Sequence, residues 1–418
     1  MFKPAPPPVS PLAEYRLLSP RCGLRVSPLC IGGMSFGDAW TPFMGSTSKE
    51  QVFELLDYYR SQGGNFVDLA NNYQDEQAET WVGEWLKARE CRDEMVVATK
   101  YTLNYKSHGA TAPTAGGKTI HANYGGNGAK NMRASIDASL KKLQTDFVDV
   151  FYLHAWYYDT PIEEVMHYLN DLVTAGKVHY LGISDTPAWI VSKANQYARD
   201  HGLRQFVVYQ GKYSPLSRDL ERDIIPMAAS EGMALTHWGV LASGAFKPAE
   251  DASAPGARPI MVPPPQQALA DKVRDVLDSI AKAHNAATSP ASASASATTN
   301  DEKDTTTAAG AAPSGKEEAP PPAEPFTMGS VLIAYARQKA PYTFPILGGR
   351  TTKSLRSSIG ALKLTLSQQE MHAIDDASPL DRGFPNGFLA PEVVHGQIEG
   401  PGDLWASRLD CTVRSGGW

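Results

Sequence analysis

The strongest constraint on the fold is a repeated alternation of short apolar strands with amphipathic helices along the 418-residue chain. The strand segments are rich in β-branched and aromatic residues, whereas the helical segments carry apolar residues at three- and four-residue spacing. The predicted strands are Pro28–Ile31, Asn65–Leu69, Met95–Thr99, Phe147–Leu153, Val178–Ile183, Phe206–Tyr209, Met233–Thr236 and Tyr342–Leu347. The predicted helices are Gln51–Ser61, Ala78–Ala88, Met132–Leu143, Ile162–Ala175, Ala188–Ala198, Asp223–Ala229 and Gly329–Lys339. This order, without a long antiparallel block, predicts parallel βαβ units.

Eight such units close naturally into a barrel, so we expect an α/β chain with the (β/α)8 TIM-barrel fold. A doubly wound open sheet is the alternative. It typically carries a GxGxxG turn after its first strand, and the segment from Ile31 to Gly37 (IGGMSFG) does not match that pattern. Before the first strand, Tyr15–Val26 with Gly23 at its centre predicts a hairpin that covers the floor of the barrel.

The chain predicts a single domain over residues 13–418, preceded by a flexible Pro-rich tail at residues 1–12. One insertion interrupts this domain. Between Ala286 and Pro325 there is no Val, Ile, Leu, Met or aromatic residue, so burial cannot offset the entropy of ordering this segment. We therefore expect residues 286–325 to form a disordered, low-complexity loop.

Composition excludes several classes of protein. The net charge of −6 gives no basic excess for nucleic acid, and no apolar run approaches the roughly 20 residues of a membrane helix. The start of the chain has no apolar region typical of a secretory signal. The four cysteines are scattered, without a CxxC pair, which argues against a disulfide scaffold and against a metal site. We expect a soluble, cytoplasmic protein that binds neither membrane nor nucleic acid.

Polar residues follow three consecutive strands of the predicted barrel, at the ends where catalytic residues of this fold lie. Asp68 ends the second strand, Tyr73 follows it, Lys100 ends the third, and His154 ends the fourth. A neighbouring ammonium lowers the pKa of a phenol, so we expect Lys100 to make Tyr73 a better proton donor and Asp68 to hold Lys100 charged. His154 is placed to orient and polarise a substrate carbonyl oxygen. The set suits protonation of an oxygen while hydride reaches the attached carbon.

These residues lie in long stretches that resemble the aldo-keto reductase superfamily, and within it the fungal aryl-alcohol dehydrogenase and norsolorinic acid reductase-like branch. The resemblance covers the chain apart from the tail and the insertion. The stretches that carry it are Asn65–Trp85 (NFVDLANNYQDEQAETWVGEW), Asp146–Ala155 (DFVDVFYLHA), Gly176–Trp189 (GKVHYLGISDTPAW), Val208–Ser214 (VYQGKYS), Arg222–Met227 (RDIIPM) and Pro345–Arg350 (PILGGR). The resemblance implies NADPH/NADP+ as cofactor, reversible carbonyl–alcohol interconversion and a role in fungal secondary metabolism.

The resemblance also assigns roles to individual positions. Asp68, Tyr73, Lys100 and His154 match the catalytic tetrad, with Tyr73 as proton donor. The positions that match cofactor-binding residues are Gly33, Met34, Ser35, Ser184, Asp185, Gln210, Trp238, Leu241, Ser243, Gly244, Gly348, Gly349, Arg350, Ser354 and Ser358. Asp185 stands where many relatives have Asn, while Ser354 and Ser358 hold the places of a Gln and an Asn. Arg350 suits the 2′-phosphate of NADPH because guanidinium groups bind phosphate through forked hydrogen bonds.

Trp156 and Tyr157 lie two and three residues after His154, and we expect them to line a pocket for an aromatic or polyketide-like aldehyde or ketone. A different function is possible on the same fold, namely a cofactor-sensing regulatory subunit with little turnover. A metal-dependent barrel hydrolase would need a His-x-His pair after the first strand, where this chain has Gly-Gly-Met-Ser-Phe-Gly. The sequence leaves the exact substrate, the direction of the reaction and the oligomeric state open.

Overall fold

A central sheet of eight parallel strands organises the molecule. The computed structural model describes residues 4–108, 119–246, 264–288, 324–386, 392–394 and 397–399. The strands of the sheet are β3 (Cys30–Gly32), β4 (Phe66–Asp68), β5 (Val96–Tyr101), β6 (Val148–Leu153), β7 (Val178–Ser184), β8 (Phe206–Lys212), β9 (Ala234–Trp238) and β10 (Ile346–Leu347). All eight predicted strands are therefore confirmed, with ends that differ by a few residues.

The sheet follows the order β10-β3-β4-β5-β6-β7-β8-β9 and closes on itself. The segment that leads into β10 meets β9 through a parallel bridge between Leu235 and Thr343. Leu235 N donates to Tyr342 O at 3.0 Å, and Phe344 N donates to Leu235 O at 2.8 Å. The structure is thus the (β/α)8 barrel that the alternation predicts, and the carboxyl ends of all eight strands open at one rim.

Helices surround the barrel, and several begin at side chains that cap their first turn. The described helices are α1 (Thr41–Met44), α2 (Lys49–Ser61), α3 (Gln77–Ala88), α4 (Ala129–Leu143), α5 (Ile162–Thr174), α6 (Ala188–Asp200), α7 (Ile224–Glu231), α8 (Gln267–Ala287), α9 (Met328–Lys339), α10 (Thr352–Gly360) and α11 (Gln368–Ala377). Ser48 with Gln51 and Ser367 with Glu370 form capping boxes at the starts of α2 and α11. Gly176 and Gly202 follow α5 and α6 with positive φ, the conformation in which glycine typically ends a helix.

Two apolar cores hold the fold. The larger one fills the space between the barrel and its helices and includes the predicted buried face of α4, with Met132, Ile136 and Leu143. The smaller one fills the inside of the barrel, where Phe66, Val150 and Phe344 meet. The interior is a packed core, so a substrate has access only to the rim.

The N-terminal hairpin is confirmed, but its turn lies earlier than expected. It pairs β1 (Arg16–Ser19) with β2 (Cys22–Val26) in antiparallel fashion, so Pro20 and Arg21 form the turn. Gly23, predicted at the centre, lies inside β2 instead. A proline fits the second position of a tight turn because its φ is already suitable. Leu18, Cys22 and Val26 of the hairpin pack against the barrel interior as the predicted floor.

The predicted tail and insertion are only partly described. The last residues of the 1–12 tail are packed: Ser10 Oγ donates to Gln62 O at 2.7 Å, and Leu12 is completely buried. Burial of the apolar Leu12 side chain explains why this end of the tail is packed against the fold. In the predicted insertion 286–325, α8 continues through Ala287, while residues 289–323 lie outside the described part.

No helix within the described ranges combines the length and the apolar character needed to cross a membrane.

Gly83 in the middle of α3 allows α3 and α4 to approach closely. A Cβ at Gly83 would collide with the carbonyl oxygen of Lys142 and lie 2.6 Å from the Cα of Leu143. Although alanine favours a helix, overpacking costs about 1–3 kcal/mol, so we expect Gly83→Ala to lower the unfolding midpoint in urea. Gly360 is the matched control, since it is helical and a Cβ there meets nothing within 4 Å. Gly360→Ala should leave the midpoint unchanged or raise it, and equal behaviour of the two variants would contradict the packing.

Candidate active site

The four predicted catalytic residues meet at the carboxyl rim of the barrel. Asp68 is the last residue of β4, Lys100 lies near the end of β5, and His154 follows β6 directly. Tyr73 lies in the turn between β4 and α3. Parallel neighbouring strands end at the same edge, which brings these side chains together although 86 positions separate the first from the last.

Lys100 and Asp68 form a buried ion pair. Lys100 Nζ lies 2.7 Å from Asp68 Oδ2, and their side chains are 0% and 6% exposed. The ammonium also donates to Leu69 O at 2.6 Å, while Asp68 Oδ1 accepts from Gln210 Nε2 at 2.9 Å. Burial favours neutral Lys100, but the charge of Asp68 and the Tyr73 phenol outweigh it and raise the pKa of Lys100 above its ordinary value. Lys100 is therefore a fixed positive charge.

Tyr73 points at this charge. Its phenol oxygen accepts a 3.4 Å hydrogen bond from Lys100 Nζ. Burial raises the pKa of Tyr73, the Lys100 ammonium lowers it, and the Asp68 carboxylate raises it again. Lys100 lowers the pKa of Tyr73 as predicted, but loss of solvation outweighs the ammonium, so the resulting pKa is above the ordinary value. Tyr73 keeps its proton at neutral pH, which is the form that a proton donor needs.

His154 presents a neutral imidazole beside Tyr73. The two rings meet edge to face with centroids 5.9 Å apart. Burial and the nearby Lys100 charge lower the pKa of His154 to about 3. Its Nδ1 atom is buried and has no hydrogen-bond partner among the described residues. A neutral ring carries one N–H, which can donate to a carbonyl oxygen without bringing a second positive charge into the site.

A left-handed turn follows Tyr73 and binds the loop after β3. Gln74, Asp75 and Glu76 all have positive φ, a conformation that costs a residue with a side chain about 1–2 kcal/mol. Gln74 Oε1 accepts from Trp40 N at 2.9 Å, and Asp75 Oδ1 accepts from the indole Nε1 of Trp40 at 2.8 Å. Trp40 thereby meets the Tyr73 ring edge to face at 6.2 Å. Sequence reasoning missed Trp40, since its position depends on side chains 34 and 35 residues away.

Asn127 connects the loops that follow β5 and β6. It is completely buried, and its Nδ2 donates to Ala155 O at 2.9 Å and to Thr102 Oγ1 at 3.2 Å. Its Oδ1 accepts from Tyr157 N at 2.8 Å. The bonds to Ala155 and Tyr157 flank Trp156, so this amide fixes the backbone that carries a predicted substrate residue. Sequence reasoning missed Asn127 too, because the Gly-rich segment around it has no periodicity.

Four of the predicted cofactor-binding residues lie together beside the tetrad. Ser184 ends β7, Asp185 follows with positive φ, and Asp185 N donates to Gln210 O at 3.1 Å. The Asp185 carboxylate lies within hydrogen-bonding reach of the Trp238 side chain at the end of β9. The Gln210 amide is engaged with Asp68, so it links this group to the tetrad.

Gly33, Met34 and Ser35 form a 3-10 turn directly after β3. A Cβ at Gly33 would collide with the Leu69 side chain, which is why the turn can lie so close to the end of β4. Met34 O accepts from Gln74 Nε2 at 2.9 Å. Ser35 Oγ is buried without a partner among the described residues, so it is available to a bound group at the rim.

The predicted phosphate-binding residues follow the last two strands. Leu241, Ser243 and Gly244 lie in a turn after β9, in which Ala242, Ser243 and Gly244 all have positive φ. Gly348, Gly349 and Arg350 follow β10 and lead into the N-terminus of α10, where the helix dipole attracts anions. Ser354 and Ser358 lie on α10, and their hydroxyls bond backbone carbonyls one turn earlier, at 2.8 and 3.0 Å.

Aromatic side chains are exposed around the same rim. Trp156 is half-buried and meets Tyr158 edge to face at 6.5 Å, while Tyr157 is exposed. Phe43, Tyr158 and Trp189 are more than half exposed. They lie on segments after β3, β6 and β7, so their apolar surface faces solvent where the barrel opens. Exposed aromatic surface around a polar centre is typical of a site for an apolar ligand.

Comparison with known proteins agrees with this geometry. The chain matches the aldo/keto reductase family over residues 28–312 and 323–379. It belongs to the aldo/keto reductase family. Norsolorinic acid reductase B of Dothistroma septosporum is 43% identical over 405 residues, covering 94% of this chain and 90% of that protein. An aryl-alcohol dehydrogenase of Pestalotiopsis microspora is 46% identical over 403 residues, covering 96% and 91%. Norsolorinic acid reductase A of Aspergillus parasiticus is 42% identical over 412 residues, covering 98% and 92%.

Membership of the aldo/keto reductase family supports an oxidoreductase activity with a nicotinamide cofactor. The residues present fit such a group. Ser35 and His154 carry buried polar atoms without a described partner, Trp238 offers an exposed indole, and Arg350 lies before a helix N-terminus. No cluster of three or more His, Cys, Asp or Glu that could hold a metal ion occurs among the described residues of this aldo/keto reductase.

The low pKa of His154 predicts that its imidazole stays neutral across the neutral and mildly acidic pH range. Between pH 8 and pH 5 its imidazole should remain neutral in ¹⁵N NMR spectra of histidine-labelled protein, with His154→Asn identifying the signal. Because the folded pKa of about 3 lies below the usual 6.5, the unfolded state binds more protons between these values. The neutral His154 side chain therefore contributes to the free energy of unfolding above pH 6.5, and this contribution is lost as the pH falls toward 3. A midpoint near pH 6.5 for this signal would contradict the assignment.

The Asn127 bridge predicts an effect on activity. Asn127→Ala should release the backbone around Trp156 and lower kcat/KM by about 10- to 100-fold, since a shift of ~1 Å near reacting groups costs up to ~100-fold. Steady-state kinetics with an aromatic aldehyde would measure this. Asn285→Ala is the control, because Asn285 also bridges backbone, accepting from Phe326 N at 2.7 Å and donating to Phe326 O at 2.8 Å, outside the predicted site. A similar loss in both variants would contradict a role specific to the site.

Proposed function

We propose that this aldo/keto reductase uses NADPH to reduce an aromatic or polyketide-like aldehyde or ketone to the alcohol, reversibly, with Tyr73 as the proton donor. The observation that carries the proposal is the buried Asp68–Lys100 pair beneath the Tyr73 phenol, next to neutral His154 and beneath an aromatic rim. The relatives named as norsolorinic acid reductases and aryl-alcohol dehydrogenases support a substrate of this class and a role in fungal secondary metabolism.

Proton delivery follows from the charges around Tyr73. When the phenol gives its proton to the substrate oxygen, negative charge forms on Tyr73 Oη, 3.4 Å from the Lys100 ammonium. The ammonium cannot move away, because Asp68 and Leu69 O hold its other hydrogens. A fixed positive charge stabilises the phenolate that forms in the transition state more than it stabilises the neutral phenol of the ground state.

His154 and the aromatic side chains orient the carbonyl group of the substrate. A neutral imidazole N–H can donate to the same oxygen that Tyr73 protonates, which fixes the carbonyl plane. Trp40 contacts Tyr73 edge to face, and Trp156 lies two residues after His154. Aromatic rings pack well on planar aromatic ligands, so a flat aryl ketone or aldehyde suits the space between these loops.

The cofactor would bind across the rest of the rim. Ser184, Asp185, Gln210 and Trp238 would hold the nicotinamide end, and Arg350 at the start of α10 would take the 2′-phosphate. Gly33, Met34, Ser35 and the turn from Leu241 to Gly244 complete the predicted contacts, with Ser354 and Ser358 on the adenine side. When bound, the nicotinamide supplies the hydride for the carbonyl carbon.

The test is the rate of NADPH oxidation with a panel of aromatic aldehydes and ketones. Loss of a general acid lowers rates by about 100- to 10,000-fold, so Tyr73→Phe should reduce kcat by at least ~100-fold. Its affinity for NADPH, measured by tryptophan fluorescence, should stay at the wild-type value. Tyr197→Phe, on the outer helix α6, is the matched control and should keep full activity. NADH in place of NADPH should bind more weakly.

Other outcomes would decide against the proposal. Full activity of Tyr73→Phe would exclude this phenol as the proton donor. Tight NADPH binding by the wild-type protein without turnover of any carbonyl would favour the alternative function, a cofactor-sensing regulatory subunit. Equal affinity for NADH and NADPH would contradict the proposed binding of the 2′-phosphate by Arg350.

A further inference from the structure

Lys142, near the end of α4, contacts the segment that carries Tyr73 at three points. Its Nζ donates to the carbonyl oxygen of Asn71 at 2.9 Å. The same ammonium lies 3.0 Å from Glu76 Oε2 and 2.7 Å from Glu79 Oε2. One side chain therefore binds a residue two positions before the phenol, a residue three positions after it, and the first turn of α3.

The turn between these contacts needs outside support. Gln74, Asp75 and Glu76 adopt left-handed conformations in succession, which are unfavourable for residues with a side chain, so the free turn would relax to other conformations. Lys142 joins both sides of the turn, Asn71 and Glu76, to the same atom. Residues in such conformations persist only where neighbours hold them, and they cluster at functional sites.

The ammonium and carboxylate groups around Lys142 form a mostly buried cluster of opposite charges. The side chain of Lys142 is 12% exposed, and that of Glu79 is completely buried. Glu79 Oε1 also accepts from Thr99 Oγ1 at 2.6 Å, which links the cluster to β5 next to Lys100. Glu76 accepts a second ammonium, that of Lys106, at 2.6 Å, and both cations lower the pKa of Glu76 against the opposing effect of burial. The cluster is thus charged and rigid, and it lies behind the tetrad.

We propose that Lys142 is a positioning residue for the reaction: by holding Asn71 O, Glu76 and Glu79 together, it keeps the turn in the conformation that places the Tyr73 phenol against Lys100. Lys142 lies on the helical layer and makes no described contact with a tetrad side chain, so its effect passes through the backbone of the turn. The kinetic consequence rests on the proposed carbonyl reduction, whereas the structural consequence for Tyr73 does not.

The experiment compares Lys142→Met with Lys141→Met in the full-length protein. Methionine keeps much of the length of the lysine side chain but cannot bind the three oxygens. The kcat of Lys142→Met should fall by about 10- to 100-fold, the effect of displacing a reacting group by ~1 Å, while KM and the affinity for NADPH stay within about twofold. Lys141 is the adjacent, exposed lysine of the same helix, and Lys141→Met should match the wild-type protein. Lys142→Arg, which retains charge and donors, should recover most of the lost kcat.

A second readout does not depend on activity. In protein labelled with ¹³C at tyrosine Cζ, the Tyr73 signal, identified by its loss in Tyr73→Phe, should shift or broaden in Lys142→Met and remain in place in Lys141→Met. An unshifted Tyr73 signal or a kcat equal to that of Lys141→Met would overturn the proposal. If Lys142→Met does not fold, Glu76→Gln takes its place, and wild-type kcat with an unshifted signal in that variant would overturn it. Absence of carbonyl reduction by the wild-type protein would instead reject the proposed function and leave the NMR comparison intact.

Discussion

The buried ion pair between Lys100 and Asp68 is the interaction on which the rest of the site depends. Moving an ammonium and a carboxylate out of water costs several kcal/mol for each ion, and only close, fully hydrogen-bonded geometry offsets that cost. The barrel provides this geometry, since Lys100 also donates to Leu69 O and Asp68 also accepts from Gln210. The pair thereby joins β4, β5 and β8, and it presents one fixed positive charge to Tyr73. Low solvation keeps Tyr73 protonated against the effect of this charge, and it acts together with the charge to keep His154 neutral.

Hydrogen bonds tie the loops around the pair to one another. Gln74 and Asp75 hold Trp40 from the loop after β3, Asn127 holds the loop after β6, and Lys142 holds both sides of the Tyr73 turn. These contacts support backbone that would not keep its conformation alone, as in the left-handed turn after Tyr73. The candidate active site therefore consists of a rigid rim supplied by the strands and a set of loops whose mutual hydrogen bonds orient the side chains above it.

Much of this could be predicted from the chain, and the misses have identifiable causes. Strand–helix alternation predicted all eight barrel strands, and the rule that catalytic residues follow strand ends selected Asp68, Tyr73, Lys100 and His154, which lie together at the rim. The hairpin turn was misplaced onto Gly23, because the Pro20-Arg21 turn does not need a glycine. The lowering effect of Lys100 on the pKa of Tyr73 was predicted, but the larger effect of burial was not, since an ammonium next to a phenol follows from strand ends whereas the degree of burial does not. Trp40 and Asn127 were missed because each is defined by partners far along the chain.

The sequence by itself determined the parallel barrel, its hairpin floor and the rim at which polar residues collect, because hydrophobic periodicity and chain order are local properties that each segment carries. It also determined the family, through long ordered stretches of matching residues. Only the tertiary structure decided the protonation states and the orientations of the side chains in the candidate active site. Those depend on solvation and on hydrogen bonds between segments as far apart as Asp68 and Gln210 or Asn71 and Lys142, and distances of this kind exist only after the barrel has closed.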